Sequence, residues 1–117
     1  MFQEAEKKMA KLLKEKGLEW EPKEGDWCFD SEQKVHLVSS LNCKTIESNK
    51  EEYTWLPLWH TCRRWITEQG ISLTGANFSP ERIAVVCRDP HTSSVLGGDG
   101  KTDLEAIYHL MFQIMTR

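Results

Sequence analysis

Apolar residues at helical spacing predict three helices in this chain. The first covers residues 3–16 and sets an apolar face against a row of lysines. The second begins at Pro57, because a proline amide is not needed in a first helical turn, and it ends at Gly70. The third begins at Thr102, which has the capping-box spacing to Glu105, and it runs almost to the C-terminus.

Short apolar runs and alternating positions predict four strands between these helices. Residues 27–29 and residues 34–41 are separated by a polar loop of hairpin length, so we expect them to pair. Residues 82–89 are apolar on both faces, which is typical of a central strand. Residues 95–96 form the last and shortest strand.

Polar and glycine-containing segments predict the loops. Residues 42–54 are mostly polar and indicate a loop, with a possible further strand at residues 43–46. Residues 71–80 contain glycine, asparagine and proline, and they indicate a second loop. The glycine-rich residues 97–100 indicate a turn directly before the last helix.

The element order α-ββ-α-ββ-α predicts an α+β fold in a single domain over residues 1–117. An N-terminal helix within residues 1–17 precedes a first ββα unit, residues 26–70, and a second ββα unit, residues 82–116. We expect the two units to lie side by side in one mainly antiparallel four-stranded sheet, with the helices packed on it.

Composition narrows the function classes. The chain has 15 Lys and Arg residues against 18 Asp and Glu residues, a net charge of −3, which argues against a dedicated nucleic-acid binder. No apolar stretch reaches the length of a bilayer span and no signal peptide is recognisable, so we expect no membrane partner and a cytoplasmic location. Tryptophan is over-represented, with five residues against two tyrosines.

The sequence predicts no metal site and no cofactor. Its histidines have no metal-ligand spacing, and the cysteines lie far apart without a C-x-x-C pair, which indicates reduced thiols. A Cys–His dyad and a serine nucleophile elbow are equally unsupported, so we expect no catalytic residues. The four cysteines are Cys28, Cys43, Cys62 and Cys87.

Three segments carry a resemblance to a known family. They are Trp55-Leu56-Pro57 leading into the helix with Trp59, Cys62, Arg63 and Trp65; the strand at residues 83–88; and the helix opening at residues 100–107. Over residues 18–115 the chain resembles the phage ABA sandwich domain family, small phage and prophage proteins of unknown function. The resemblance implies a fold and a mobile-element origin, and it transfers no catalytic residue.

The glycine-rich segment before the last helix is the first candidate binding site. Gly98 would let the backbone approach a ligand, while Lys101 and the helix start at Thr102 would favour a phosphate group. The segment does not have P-loop spacing. A hairpin exit followed by a helix cap explains the same residues without a ligand.

The outer face of the second helix is the second candidate. Trp55 and Trp59 lie at its entrance, and His60, Arg63 and Arg64 point away from its apolar stripe. Arginine beside tryptophan can stack on a planar ligand, hold an anion or anchor a protein interface. An ordinary solvated helix face is the alternative.

These observations predict a non-enzymatic accessory protein of phage or prophage origin. We expect it to modulate or evade a host system by binding a host protein, or by sequestering a small signalling nucleotide. A nucleotide site would lie at a subunit interface, so a homo-oligomer is possible. The alternative is a structural or assembly protein of the phage particle with no small ligand.

Overall fold

The structure is a computed structural model that describes residues 2–117, with residue 78 described by its backbone alone. It is an α+β fold whose helices and strands alternate along the chain. The helices are α1 (Glu4–Glu15), α2 (Cys43–Ser48), α3 (Trp59–Glu68) and α4 (Asp103–Thr116), and a 3-10 turn covers Lys50–Glu52. The strands are β1 (Trp27–Phe29), β2 (Val35–Leu37), β3 (Thr54–Trp55), β4 (Ser72–Phe78), β5 (Ile83–Arg88) and β6 (Val95–Gly100).

The strands form two three-stranded antiparallel sheets, in the orders β2-β1-β3 and β4-β5-β6. The single four-stranded sheet expected from the sequence is therefore not confirmed. Each predicted hairpin gains a third strand instead. Residues 54 and 55 pair with β1, and β4 pairs with β5.

The prediction of a loop at residues 71–80 is wrong, because this segment contains β4, the longest of the described strands. Leu73 and Ala76 pair with the buried Cys87 and Val85. Of the β4 residues with a described side chain, Leu73 is half-buried and the others are exposed. A bulge between Leu73 and Gly75 breaks the alternation, so the strand has no period-two apolar signal. Backbone pairing with β5 decides its conformation.

The predicted turn at residues 97–100 is also wrong, since these residues belong to β6 and pair with β5 through Gly100. Gly98 and Gly100 both lie too close to α4 for a Cβ atom. A Cβ atom at Gly98 would collide with the backbone of α4 at Ala106 and Leu110. The glycines therefore let a helix lie directly on the sheet rather than form a turn.

The loop predicted for residues 42–54 contains α2 and the 3-10 turn, and the possible strand at residues 43–46 is helical. Ile46 is the one buried residue of α2, so this helix has too few apolar positions to show a period in the sequence. The second strand is shorter than predicted, and α3 begins at Trp59, two residues after Pro57. Pro57 itself is buried before the helix.

Helix α4 forms the centre of the main core. It packs on β6, β5, α1 and α3, and its buried side chains include Tyr108. The Tyr108 hydroxyl donates to the backbone oxygen of Pro57 at 2.6 Å, which ties α4 to the start of α3. The Thr102 hydroxyl donates to the buried carboxylate of Glu6 at 2.6 Å and ties α4 to α1. No helix in the described part of the chain is long and apolar enough to cross a membrane.

Candidate binding site on helix α3

Helix α3 fixes two neighbouring arginines on its solvent side. Cys62 and Ile66 are buried and hold the inner face of the helix against the core. Arg63 and Arg64 follow directly after Cys62, and both are exposed. Since successive helical residues are about 100° apart, the two guanidinium groups leave the helix towards different neighbours.

Arg63 lines a groove between α3 and β4, together with Trp59 one helical turn earlier. The floor consists of β4 residues 73–76 and the buried Val85 of β5, and the cavity volume is about 250 Å³. Gly75 and Ala76 are small, which leaves room beside the tryptophan. We call this site the α3–β4 groove.

Arg64 lines a separate cleft on the other side of α3, with a volume of about 260 Å³. Thr61, Arg64, Trp65 and Glu68 supply its α3 wall, at the spacing of one helix face. The opposite wall contains Trp20 and polar residues of the segment before β1, together with Trp55 of β3. We call this site the tryptophan cleft.

Trp20 and Trp55 form a stacked pair in that cleft. Their ring centroids lie 6.1 Å apart with only 6° between the planes, and the Trp20 indole N–H donates to an Asp26 carboxylate oxygen at 3.0 Å. Trp20 is 8% exposed, so the stack also closes the smaller core cluster around Cys28. Trp55 therefore has a structural role together with its position in the cleft.

The tryptophan cleft has an acidic balance. Glu19, Glu21, Asp26 and Glu68 line it, against Lys23 and Arg64. An anionic ligand would meet this excess of carboxylates, whereas the α3–β4 groove contains Arg63 and no acidic residue. The two sites on α3 thus differ in the charge that they favour.

The remaining candidates lie elsewhere. Gly98 is buried against α4, and the backbone N–H of Lys101 donates to the Glu105 carboxylate at 2.8 Å. The Thr102 hydroxyl accepts from the Glu105 N–H at 3.1 Å while donating to Glu6. The backbone amides of Lys101 and Glu105 lie at the helix start that a phosphate would need, and both already have hydrogen-bond partners within the protein. His60 is exposed at the first turn of α3 and lines neither site.

The structure brings Trp59 together with Arg63, and Trp55 together with Arg64, which the sequence analysis placed on one face. The β4 wall of the groove was not predictable, since β4 has no strand pattern. Trp20 was not predicted as a site residue either, because the sequence leaves it in a linker. The abundance of tryptophan was the only signal that could have found that residue.

The thiols are in environments that disfavour the thiolate. Burial raises the pKa of Cys28 to about 11, with the carboxylates of Asp26 and Asp30 adding to the effect. Burial also raises the pKa of Cys62 and of Cys87. Within residues 2–117, no group of three or more His, Cys, Asp or Glu side chains has a metal-binding arrangement.

Comparison of the chain with known proteins gives no matching protein-family model, no matching curated protein and no matching solved structure.

Proposed function

We propose that this protein is a non-enzymatic accessory protein, encoded by a phage or prophage, that acts in the host cytoplasm by holding a host protein. The observation that carries the proposal is the exposed side of α3, where Arg63 and Arg64 each enter a cleft that contains tryptophan. Tryptophan and arginine are the residues that most often dominate protein–protein binding energy. The mobile-element origin is supported by the family resemblance alone.

Two further features favour binding over catalysis. The pKa values of three thiols are raised, whereas a nucleophilic cysteine needs a lowered pKa. The aromatic residues near α3 are also held by packing before any partner arrives, as the Trp20–Trp55 stack illustrates. A rigid, preformed surface binds at a lower entropic cost than one that must become ordered.

Sequestration of a signalling nucleotide has weaker support. The segment that would cradle its phosphate is the end of strand β6, and Gly98 faces the backbone of α4 rather than a free space. The Asp99 carboxylate lies in the same segment and pairs with Arg82 at 2.6 Å, which leaves less positive charge for an anion. A host protein is therefore the partner we propose.

The experiment places a photoreactive benzoylphenylalanine at position 63 or 64, with position 44 on α2 as the control, in cells of the bacterial host. Lys44 is also an exposed basic residue, but it lies outside both α3 sites. We expect one host protein to cross-link from positions 63 and 64 and not from position 44. Equal labelling from all three positions contradicts the proposal.

The cross-linked protein is then purified and titrated. The double variant Arg63→Glu/Arg64→Glu should bind about thirtyfold more weakly or worse, since interface arginine hot spots each contribute about 2 kcal/mol or more. Lys44→Glu makes the same charge change and should bind like the wild type. A nucleotide retained in native mass spectrometry, or recovery of the protein in phage particles, would favour the other two functions instead.

A further inference from the structure

Strand β4 is an open sheet edge whose protection is limited to the bulge between Leu73 and Gly75. Six of its seven residues pair with β5 on one side, with Thr74 left at the bulge, and no other strand of the described chain pairs with it. The segment contains no charged residue and no proline, which are the residues that normally keep foreign strands away from an edge. Residues 74–77 are exposed. The edge can therefore form backbone hydrogen bonds with an added strand.

The α3–β4 groove runs along this edge and offers space for side chains. Trp59, Leu73 and Val85 supply apolar walls, and Arg63 is the single charged residue in the lining. Arg63 makes no ion pair with a carboxylate of the described chain. A side chain entering the groove would meet an apolar surface with one uncompensated guanidinium group at its rim.

We propose that the host protein binds here as an extended segment that adds a strand to β4 and places an aspartate or glutamate beside Arg63. Strand addition supplies affinity through backbone hydrogen bonds, and pockets for alternate side chains supply specificity. The α3–β4 groove has both elements, since it lies next to an open edge. This inference rests on the proposed function, because it names the surface and the chemistry by which the partner is held.

The positive charge of Arg63 favours an acidic partner strand over a second copy of this chain. Pairing of β4 with β4 of another molecule would bring only Ser, Leu, Thr, Gly, Ala, Asn and Phe to the groove. None of these carries a carboxylate, so Arg63 would stay unmatched. A partner strand with an acidic residue satisfies the backbone edge and the guanidinium group together.

The test uses a displayed library of random linear twelve-residue peptides as the probe. We expect enrichment of peptides that alternate β-branched or aromatic residues and contain Asp or Glu. An enriched peptide should lose about tenfold or more in affinity for Arg63→Glu, while its Glu→Lys version should bind that variant better than it binds the wild type. Lys44→Glu, which makes the same charge change at an exposed residue outside both α3 sites, should leave both affinities unchanged.

Hydrogen exchange provides the readout for strand addition. Bound peptide should slow amide exchange in β4 more than in β2, which is also an edge strand. Enriched peptides whose affinity falls with Arg64→Glu and not with Arg63→Glu would overturn the inference while leaving the proposed function intact. Absence of any enriched peptide, or a dimer that buries β4 in solution, would also overturn it. Failure of the proposed function would appear separately, as equal cross-linking from positions 63, 64 and 44.

Discussion

The contact between Gly98 and α4 allows a sharp test of the sheet–helix packing. Replacing Gly98 with alanine adds one methyl group at a point where the backbone of α4 is already in contact with β6. The added Cβ would lie 2.8 Å from the Leu110 Cα and closer still to other backbone atoms of α4. Ordinary carbon–carbon contacts are about 3.5–4.0 Å, so the helix must move by roughly 1 Å.

That movement is costly because α4 forms the centre of the core, with six buried residues. Inserting a methyl group into a well-packed core typically costs about 1–3 kcal/mol, and backbone atoms cannot rotate away as a side chain can. We therefore expect Gly98→Ala to lower the free energy of unfolding by about 3 kcal/mol. For a domain of this size, that corresponds to a loss of roughly 12 °C or more in Tm.

Gly97→Ala is the matched control. Its Cβ would meet only the backbone oxygen of Val85 at 3.7 Å, an ordinary contact, and its φ angle is not in the left-handed region. This variant should change the free energy of unfolding by less than about 0.5 kcal/mol. Urea unfolding followed by far-UV circular dichroism measures both values. Equal stability of the two variants would refute the packing of α4 on β6. Gly98 would then again be a candidate ligand-binding position.

Three further predictions concern buried and paired polar groups. Tyr108→Phe should lower the free energy of unfolding by about 1–3 kcal/mol in urea titrations, because it removes the buried hydroxyl that donates to the Pro57 oxygen; a neutral result would contradict that hydrogen bond. The hydrogen bond from His36 lowers the pKa of Asp30, so the pair stabilises the fold above the carboxyl's ordinary pKa and loses this contribution as the pH falls through the lower folded-state value. His36→Phe should therefore raise the pKa of Asp30 in an NMR titration, and an unchanged pKa would exclude the contact. Among the thiols, Cys43 is partly exposed whereas the others are buried, so it should react first with a disulfide reagent under native conditions; uniform labelling would contradict the core assignment.

The residues of the candidate sites could be predicted from the sequence only in part. Arg63, Arg64 and Trp59 were identifiable from the sequence because helical periodicity separates an apolar stripe from an outer face. Their division between two clefts was not identifiable. It depends on β4 lying on one side of α3 and on the segment around Trp20 lying on the other, and neither neighbour has a periodic signal.

Elements whose residues interact with close neighbours in the chain could be predicted before the fold was known. The start of α4 is an example, since Thr102 and Glu105 meet within one turn and need no distant partner. Helix α1 and the central strand β5 are further examples, because an amphipathic stripe and a continuous apolar run are visible in the chain. Each of these depends on residues close together in the sequence.

Other segments take their conformation from an element that is distant in the sequence, so they could not be predicted. Strand β4 has mostly exposed side chains and is held by backbone pairing with β5, which no side-chain pattern records. The glycines of β6 favour a turn by local preference, yet they pair with β5 as a strand. Because they have no Cβ, α4 can approach the sheet at this point. The α3–β4 groove depends on the first of these effects, because β4 supplies most of its floor and lies outside the sequence pattern, containing Trp59 and Arg63, that predicted helix α3.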